Sequence, residues 1–249
     1  MCIRDRYNPD LVLWPEAALP AYMRVSSLRS KYESLVKETN IPLLMGTVDY
    51  SYELNERLSY NGAIYFGLKD NKIYHKNFLV PFAEYIPLSN HIKILKKLNF
   101  GQANFSHGKS FTTFPIDTVQ FGNLICYESS HPFVTRRFMQ NGAKFLTIEA
   151  NDAWLRNSSG VRQHFELAIL RAIEQRVGIV RSANTGISGV IQPSGRVDHR
   201  VPFGAQEVFK GKVILNDKIT FYGTFGSIFS QLCFIITLIQ FIWLIKRQN

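Results

Sequence analysis

The segment Asn123-Leu124-Ile125-Cys126-Tyr127-Glu128 contains a short apolar run that ends at a cysteine, and a carboxylate follows two residues later. Such a run predicts a buried strand. In open α/β sheets, sites collect at the C-terminal ends of strands, so Cys126 stands where a nucleophile is often placed. A cysteine in this position is also common as a plain core residue, and the rest of the chain must distinguish the two.

Two further ionisable side chains stand in comparable settings upstream. Glu16 follows the apolar run at residues 11–14 after one proline, so it lies at the end of a second predicted strand. Lys76 interrupts an apolar and aromatic stretch, where an isolated ammonium group is unfavourable unless it is paired or functional, and Glu84 is the nearby carboxylate. Taken alone, Glu16 also fits a solvated loop, and Lys76 also fits a structural ion pair.

The remaining sequence alternates predicted strands and helices, which is typical of an α/β domain. Strands are predicted at residues 41–48, 144–148, 179–182 and 187–192, and a hairpin at residues 58–68 and 73–78. Helices are predicted at residues 24–39, 133–141 and 163–176. Residues 86–114 form a long irregular segment with apolar side chains among lysines, which suits either contact with lipid or a lid packed on the body.

Composition excludes several classes of protein. With 249 residues, of which 46% are hydrophobic and 19% charged, the chain can bury a sizeable core and is not expected to be disordered. The net charge of +10 occurs without a long basic run or a nucleic-acid-binding signature, so it indicates a membrane-facing or generally basic surface. Cys2, Cys126 and Cys233 are too scattered for a disulfide framework or a metal site.

The two ends of the chain carry opposite patterns. Residues 1–8 are charged and lack the pattern of a signal peptide, so we expect a truncated or foreign N-terminus. Residues 224–245 carry no charge, which predicts a transmembrane helix, and Trp243 lies at its C-terminal end. The following Lys246-Arg247 predicts a cytoplasmic C-terminus by the positive-inside rule.

Glu16, Lys76 and Cys126 together form a chemically complete set for acyl transfer. A cysteine nucleophile needs a base that takes its proton, and Glu16 can serve. The tetrahedral oxyanion needs hydrogen-bond donors, which Lys76 and the backbone N–H that follows Cys126 can supply. The charge of Lys76 is also expected to lower the pKa of the thiol.

The order and the flanks of these three residues resemble the Glu-Lys-Cys triad of the nitrilase superfamily. The triad blocks are Trp14-Pro15-Glu16, His75-Lys76-Asn77 and Ile125-Cys126-Tyr127-Glu128. The flanking blocks are similar to those of the apolipoprotein N-acyltransferases of the bacterial inner membrane, and they are Leu79-Val80-Pro81-Phe82-Ala83-Glu84-Tyr85-Ile86-Pro87, Asn151-Asp152-Ala153-Trp154, Gln163-His164-Phe165 and Arg181-Ser182-Ala183-Asn184-Thr185-Gly186-Ile187-Ser188. The resemblance covers nearly the whole chain from residue 9 onward.

The resemblance implies an α/β fold, a nitrilase-like αββα sandwich, followed by one C-terminal transmembrane helix. The expected divisions are a foreign or truncated N-terminus at residues 1–8, a carbon-nitrogen hydrolase catalytic domain at 9–222, and the membrane helix with a short basic tail at 223–249. The family also implies the bacterial inner membrane, with the catalytic domain on the periplasmic side and the C-terminus in the cytoplasm.

The activity that the resemblance implies is acyl transfer through a thioester on Cys126. The fatty acyl chain comes from a membrane phospholipid and passes to the α-amino group of the N-terminal diacylglyceryl-cysteine of an apolipoprotein. Glu84 would assist as a second carboxylate, while Tyr127 and Glu128 would support the nucleophile. We expect a monomer without cofactor or metal, whose partners are phospholipid, apolipoprotein and membrane, and not nucleic acid.

The chain departs from the family pattern in several places. Ala83 replaces the usual glycine before the second glutamate, and Leu155-Arg156 replace Phe-Gly after the tryptophan. Ser129-Ser130-His131-Pro132 is an unfamiliar run after the nucleophile. The family also carries a bundle of membrane helices before its catalytic domain, so we expect this chain to be a fragment of a longer protein.

Two alternatives stay open. A carbon-nitrogen hydrolase acting on a small amide would use the same triad, but it would not need the terminal helix. A fragment without activity would bind lipid and leave it unchanged.

Overall fold

In the computed structural model, the described residues are 8–19, 21–89, 94–95 and 103–248, and they form two β-sheets flanked by helices. The first sheet has the order β1-β2-β3-β4, with β1 (Val12–Leu13), β2 (Leu43–Glu53), β3 (Glu56–Phe66) and β4 (Asn71–His75). The second has the order β10-β9-β8-β7-β6-β5, with β5 (Phe114–Ile116), β6 (Val119–Ile125), β7 (Ala143–Ala150), β8 (Ile179–Ala183), β9 (Ser188–Ile191) and β10 (Val197–Val201).

Helices cover the outer faces of both sheets. The helices are α1 (Leu28–Thr39) on the first sheet, α2 (Pro132–Gln140) and α3 (Ser159–Gln175) on the second, and then α4 (Phe221–Phe225) and α5 (Ile228–Gln248). Neighbouring residues of a strand point to opposite faces, so Phe66 packs with Val36 of α1 while Tyr65 faces the second sheet. The rings of Tyr65 and Phe121 meet there with centroids 5.8 Å apart. The predicted αββα sandwich is therefore confirmed.

The centre of the second sheet brings three strand ends to one edge. Strands β6, β7 and β8 run parallel, with Ile125 paired to Glu149 and Glu149 paired to Ser182. Strands β6 and β7 each continue into a 3-10 turn, at Cys126–Ser130 and Asp152–Leu155. The cysteine thus lies at the edge where parallel strands of an α/β sheet present their sites.

Several element boundaries differ from the prediction. Strand β2 extends to Glu53 and turns into β3 through Leu54 and Asn55, which both have positive φ. The predicted hairpin is confirmed as β3 and β4, but β4 ends at His75, so Lys76 follows the strand instead of lying on it. The prediction missed the edge strands β5 and β10, because the first is a three-residue strand with a proline and the second is mostly polar.

Two predicted segments fall partly outside the described residues. In the segment 1–8, the undescribed positions are 1–7, and in the segment 86–114 they are 90–93 and 96–102. Beyond this gap the chain crosses the end of β4. The backbone N–H of Phe105 donates to the carbonyl of Glu84, and that of Gly108 donates to the carbonyl of Lys76, both at 2.8 Å. This later part of the segment packs on the body, and contact with lipid stays a prediction.

Helix α5 is long and apolar enough to cross a membrane. An 18-residue window within residues 228–247 has a mean hydropathy of 2.2, and none of that window is buried. Among the residues that the structure describes, it is the one helix that meets this test. It begins later than the predicted start at residue 224, because Thr224 and Phe225 belong to α4.

The short helix α4 ties α5 to the folded body. The guanidinium group of Arg136, on α2, donates to the carbonyls of Gly223 and Thr224 at 3.2 and 3.0 Å. Gln140, one turn further along α2, donates to the carbonyl of Gly223 at 3.0 Å. These bonds satisfy carbonyls at the end of α4 that lack partners within the helix. They also fix the start of α5 against the helix that follows Cys126.

Candidate active site

Three of the predicted site residues converge from three different strand ends. Glu16 follows β1, Lys76 follows β4 and Cys126 follows β6. Lys76 Nζ lies 3.7 Å from Glu16 Oε1, and the charges of both groups act on the Cys126 thiol. The first sheet supplies two of these residues and the second sheet the other. The site therefore lies where the two sheets meet.

The carboxylate of Glu16 is held in one orientation. The side-chain amide of Asn61 donates to its Oε1 and the backbone N–H of Asn151 donates to its Oε2, both at 2.8 Å. Gly46 lies directly beneath, where a Cβ atom would approach Glu16 Cα to 2.6 Å. Only glycine allows the backbone to approach this closely. A base in this setting has little freedom to turn away from the thiol.

Lys76 is buried, with 1% of its side chain exposed, between two carboxylates. Its Nζ is closer to Glu84 Oε1, at 2.9 Å, than to Glu16. Burial lowers the pKa of Lys76, but the charges of Glu16 and Glu84 act in the opposite direction, and the pKa lies above its ordinary value. The ammonium group therefore stays charged, as a donor to an oxyanion must. The ion pair and the functional interpretation of Lys76 are compatible.

Asn61 is a site residue that the sequence did not reveal. Its amide nitrogen lies 2.8 Å from both Glu16 Oε1 and Glu84 Oε1, so it bridges the two carboxylates. The other oxygen of Glu84 accepts from the backbone N–H of Val80 at 2.7 Å. Asn61 lies inside β3, in a strand with no motif, and only the pairing of the sheet brings it to the site.

Cys126 occupies a strained position immediately after β6. Its φ is +49°, in the left-handed region that residues other than glycine rarely adopt. Burial and the charge of Glu16 raise the pKa of Cys126 to about 12, although the ammonium of Lys76 acts in the opposite direction. The expected effect of Lys76, whose charge lowers the pKa of the thiol, is therefore present, but burial outweighs it. The resting thiol is neutral and needs a base during attack.

Glu128 fastens the cysteine turn to the loop that carries Lys76. Its Oε1 accepts from the Tyr74 hydroxyl at 2.8 Å and from the backbone N–H groups of Asn77 and Phe78 at 2.7 and 3.2 Å. Its Oε2 accepts from the N–H of Ile125 at 2.9 Å. Burial raises the pKa of Glu128 to about 7, and these donors oppose the rise. The other predicted support, Tyr127, packs its ring against His131 with centroids 4.6 Å apart.

A second cluster of polar residues lies behind the cysteine turn. These residues belong to the flanking motifs of the sequence, which assigned them no role. His164 Nδ1 lies 2.7 Å from Asp152 Oδ1, and Arg181 donates to Asp152 Oδ2 at 2.8 Å. His164 Nε2 lies 3.0 Å from the backbone oxygen of Cys126. Three buried polar residues in separate motifs were the available signal, but sequence spacing does not show that they meet.

Ligand atoms of Cys126, Asp152 and His164 lie within 4.8 Å of one another, which is compatible in distance with a bound metal ion. Both ring nitrogens of His164 and both oxygens of Asp152 already have protein partners. A metal would have to displace these bonds. The arrangement is therefore better described as a hydrogen-bond network.

The geometry can support nucleophilic acyl transfer. The site combines a neutral thiol, a fixed carboxylate that can accept a proton and a charged ammonium group 3.7 Å from that carboxylate, and the charges of both groups act on the thiol. An oxyanion formed at this position could accept from Lys76 and from the backbone N–H of Tyr127. Buried polar donors of this kind stabilise a developing charge more than exposed ones do.

Comparisons with known proteins agree with this chemistry. The family model described as carbon-nitrogen hydrolase matches residues 4–217. Curated relatives named apolipoprotein N-acyltransferase include those of Geobacter metallireducens, 32% identical over 228 residues, and Aquifex aeolicus, 33% identical over 207 residues. The matches cover 90% and 81% of this chain, and 44% of each relative. The chain thus spans about half the length of the curated relatives it matches.

Solved structures show the same fold at low sequence identity. An amidase from Nesterenkonia sp. superposes with a TM-score of 0.59 at 16% identity, covering 89% of this chain and 82% of the amidase. Saccharomyces cerevisiae Nit3, a member of branch 10 of the nitrilase superfamily, gives a TM-score of 0.58 at 18% identity, covering 83% and 75%. Since the family model spans most of the sequence and the fold agrees, this chain belongs to the carbon-nitrogen hydrolase family.

Proposed function

We propose that this chain is the catalytic part of an apolipoprotein N-acyltransferase. Cys126 would accept a fatty acyl chain from a membrane phospholipid and pass it to the α-amino group of the N-terminal diacylglyceryl-cysteine of an apolipoprotein. The observation that carries the proposal is the buried ammonium of Lys76, held between Glu16 and Glu84 beside a cysteine. The names of the curated relatives and the apolar helix α5 support a lipid substrate.

In the first half-reaction, Glu16 takes the proton of the Cys126 thiol while the sulfur attacks the ester carbonyl of the phospholipid. The oxyanion is stabilised by Lys76 and by the N–H of Tyr127. The carbon–oxygen bond then breaks, and the leaving lysophospholipid oxygen takes the proton from Glu16. The products are a thioester on Cys126 and a lysophospholipid.

In the second half-reaction, the amino group of the apolipoprotein attacks the thioester carbon. Glu16 accepts a proton from the amine and returns it to the departing Cys126 sulfur, so the free thiol is restored. An amide bond has formed and the thioester has broken. Glu84 holds Lys76 in place throughout, because its carboxylate binds the ammonium directly.

Exposed aromatic side chains close to these residues support a lipid substrate. Phe82 lies two residues before Glu84 with 57% of its surface exposed, and Trp154 lies in the turn after β7 with 84% exposed. Apolar groups this exposed on a folded domain are typical of surfaces that meet lipid or a partner. They would receive the acyl chain as it leaves the bilayer.

The proposed placement has α5 in the bacterial inner membrane. Lys246 and Arg247 would put the C-terminus in the cytoplasm and the catalytic domain on the periplasmic side. This arrangement assigns residues 9–222 to the catalytic domain and residues 223–249 to the membrane helix with its basic tail. The partners are then the phospholipid donor and the apolipoprotein acceptor, met by a monomer.

The test is mass spectrometry of the protein after incubation with phospholipid, followed by addition of a diacylglyceryl-cysteine peptide. We expect an acyl adduct on Cys126 that the peptide removes as an N-acyl product. Cys126→Ser should lose the chase product, while Cys233→Ser, which changes an exposed cysteine on α5, should retain it. Full transfer activity in Cys126→Ser would refute the mechanism.

A second candidate, hydrolysis of a small amide, is favoured by the fold shared with the solved amidase. The same incubation separates the two functions, because water and amine give different products. Release of free fatty acid at a rate that the peptide does not affect, or release of ammonia when a small primary amide replaces the phospholipid, would favour the hydrolase.

A further inference from the structure

A buried chain of polar side chains ends on the backbone of the proposed nucleophile. Arg181 on β8 binds Asp152, Asp152 binds His164 on α3, and His164 Nε2 lies 3.0 Å from the carbonyl oxygen of Cys126. Arg181 and Asp152 are almost completely buried, and His164 is 8% exposed. None of the three has a part in the acyl transfer described above.

The possible proton positions indicate that His164 is a donor to the Cys126 carbonyl. Asp152 Oδ1, at 2.7 Å from Nδ1, and the carbonyl oxygen facing Nε2 are both acceptors, so each ring nitrogen must bring a hydrogen. Ser129 Oγ donates to the same carbonyl at 2.7 Å and lies 2.9 Å from His164 Nε2, so the Nε2 hydrogen is shared between the carbonyl oxygen and the hydroxyl oxygen. Arg181 Nη2 lies 2.8 Å from Asp152 Oδ2 and 3.1 Å from His164 Nδ1, and its shorter contact is the one to the carboxylate. The Cys126 carbonyl thus receives two hydrogen bonds.

The Asp152 carboxylate in this network is closely packed against the backbone. A Cβ atom on Gly186 would approach Asp152 Oδ2 to 1.9 Å, so the backbone of the loop after β8 presses directly on the carboxylate. The carboxylate of Asp152 fills the space that a side chain at position 186 would need. Because Asp152 is fixed in this way, it also fixes the position of the His164 ring to which it is hydrogen-bonded.

The bonded carbonyl belongs to the same peptide unit as the N–H of Tyr127. A trans peptide is planar, so its C=O and N–H point in opposite directions. The donors on the carbonyl side therefore aim the Tyr127 N–H away from α3. Hydrogen bonds accepted by a carbonyl also polarise the peptide, which makes its N–H a stronger donor.

The backbone at this point would not keep that orientation unaided. Cys126 has a φ of +49°, a conformation that is unfavourable for a residue other than glycine and persists only when the surroundings impose it. Relaxation to negative φ would turn the peptide plane. The Tyr127 N–H would then leave the position from which it meets an oxyanion.

We propose that His164 is a positioning residue of the oxyanion site, which with Ser129 holds the Cys126–Tyr127 peptide so that the Tyr127 N–H points at the developing oxyanion. This inference rests on the proposed acyl chemistry, but it does not depend on which acyl donor is natural. It predicts that loss of His164 impairs reactions that form an oxyanion and spares those that do not.

Two probes separate these classes of reaction. Acylation of Cys126 by p-nitrophenyl butyrate passes through a tetrahedral oxyanion and is followed by the burst of p-nitrophenol. Alkylation by iodoacetamide displaces iodide at a saturated carbon, forms no oxyanion, and is followed by mass spectrometry. The ratio of the two rate constants therefore reports on the oxyanion site alone, with thermal unfolding measured on each variant.

For His164→Phe we expect acylation to fall about 10- to 100-fold, against the 10²–10³-fold typical for loss of a whole oxyanion donor, while alkylation changes less than about twofold. His164→Gln, whose amide can still donate to the carbonyl, should recover much of the acylation rate. The control is Gln192→Met, which removes an equally buried polar group bound to Asp198 and the Lys212 carbonyl, and which should change neither rate.

Unchanged acylation in His164→Phe, or an equal loss in both reactions, overturns the proposal. If His164→Phe does not fold, Ser129→Ala gives the answer, because it removes the other bond to the same carbonyl and should also lower acylation alone. Failure of the proposed function would look different. The wild-type chain would then acylate and alkylate as described here but would transfer no acyl group from phospholipid.

Discussion

Replacing Lys76 with methionine separates the contribution of this residue to stability from its contribution to catalysis. The ammonium lies 2.9 Å from Glu84 and 3.7 Å from Glu16. With an effective dielectric constant of about 20, these distances give attractions of about 6 and about 4 kcal/mol, and desolvation of the charges consumes much of this. Removing one partner of a buried ion pair typically costs about 3–5 kcal/mol.

We therefore expect Lys76→Met to lower the free energy of unfolding by about 3–5 kcal/mol and to slow acylation of Cys126 by about 10²–10³-fold. Urea denaturation measures the first quantity, and the burst of an activated ester measures the second. The double variant Lys76→Met/Glu84→Gln removes the orphaned charge next to the deleted ammonium. It should regain much of the stability and none of the acylation rate, because the oxyanion donor is still missing.

Two results would refute this reasoning. Recovery of acylation in the double variant would show that Lys76 acts only by neutralising Glu84. Unchanged stability in the single variant would show that the two carboxylates are not held by the ammonium at all. Lys109→Met serves as the control, since Lys109 makes an exposed ion pair with Glu53 that should contribute little.

Three further predictions concern buried groups near the site. The pKa of Glu128 is raised by burial to about 7 in the folded state, so the folded state holds more protons than the unfolded state between about pH 4.5 and 7. The free energy of unfolding should therefore fall by about 3 kcal/mol as the pH rises through that window, and a flat profile, or the same slope in Glu128→Gln, would contradict this. Among the residues that the structure describes, none makes a well-formed hydrogen bond to the two buried oxygens of Glu149; burial raises the pKa of this carboxyl group well above its ordinary value, although Asn123 acts in the opposite direction. Glu149→Met should raise the free energy of unfolding at pH 7 by about 1–3 kcal/mol, with a smaller gain for Glu149→Gln, and a loss would show that the carboxyl group binds something essential. Gly46→Ala should slow acylation and destabilise the fold by about 1–3 kcal/mol by pushing on Glu16. The control is Gly160→Ala, where an added Cβ atom makes ordinary to tight contacts away from the site. If this variant slowed acylation and lost stability to the same extent, pressure on Glu16 could not explain the effects of Gly46→Ala.

The sequence predicted the parts of the site that follow from local pattern. Apolar runs ending at Glu16 and Cys126 are strand ends, and parallel strands gather such ends at one edge. The αββα sandwich was expected from the resemblance to the nitrilase superfamily, and the membrane-length helix from the uncharged run at residues 224–245. The approach of Lys76 to Glu84 was predicted as an alternative, because the two are close in sequence.

The parts that were missed depend on contacts between distant segments. Asn61 has no motif and reaches the carboxylates only through the pairing of β3 with its neighbours. His164 could not be connected to the cysteine carbonyl before the packing of α3 was known. The net rise of the Cys126 pKa could not be predicted, because the sequence shows which charges exist, whereas burial is a property of the packed site.

The contact between α2 and α4 has a mechanical consequence. Helix α2 begins just after the cysteine turn. In its second half, Arg136 and Gln140 donate hydrogen bonds to the residues that lead into α5. A nine-residue helix is about 13 Å long, so with α5 in a bilayer this element acts as a rigid spacer between the thiol and the lipid surface. In the proposed transfer from phospholipid, lengthening the spacer by one turn would change how far the acyl chain must rise from the bilayer to reach the sulfur.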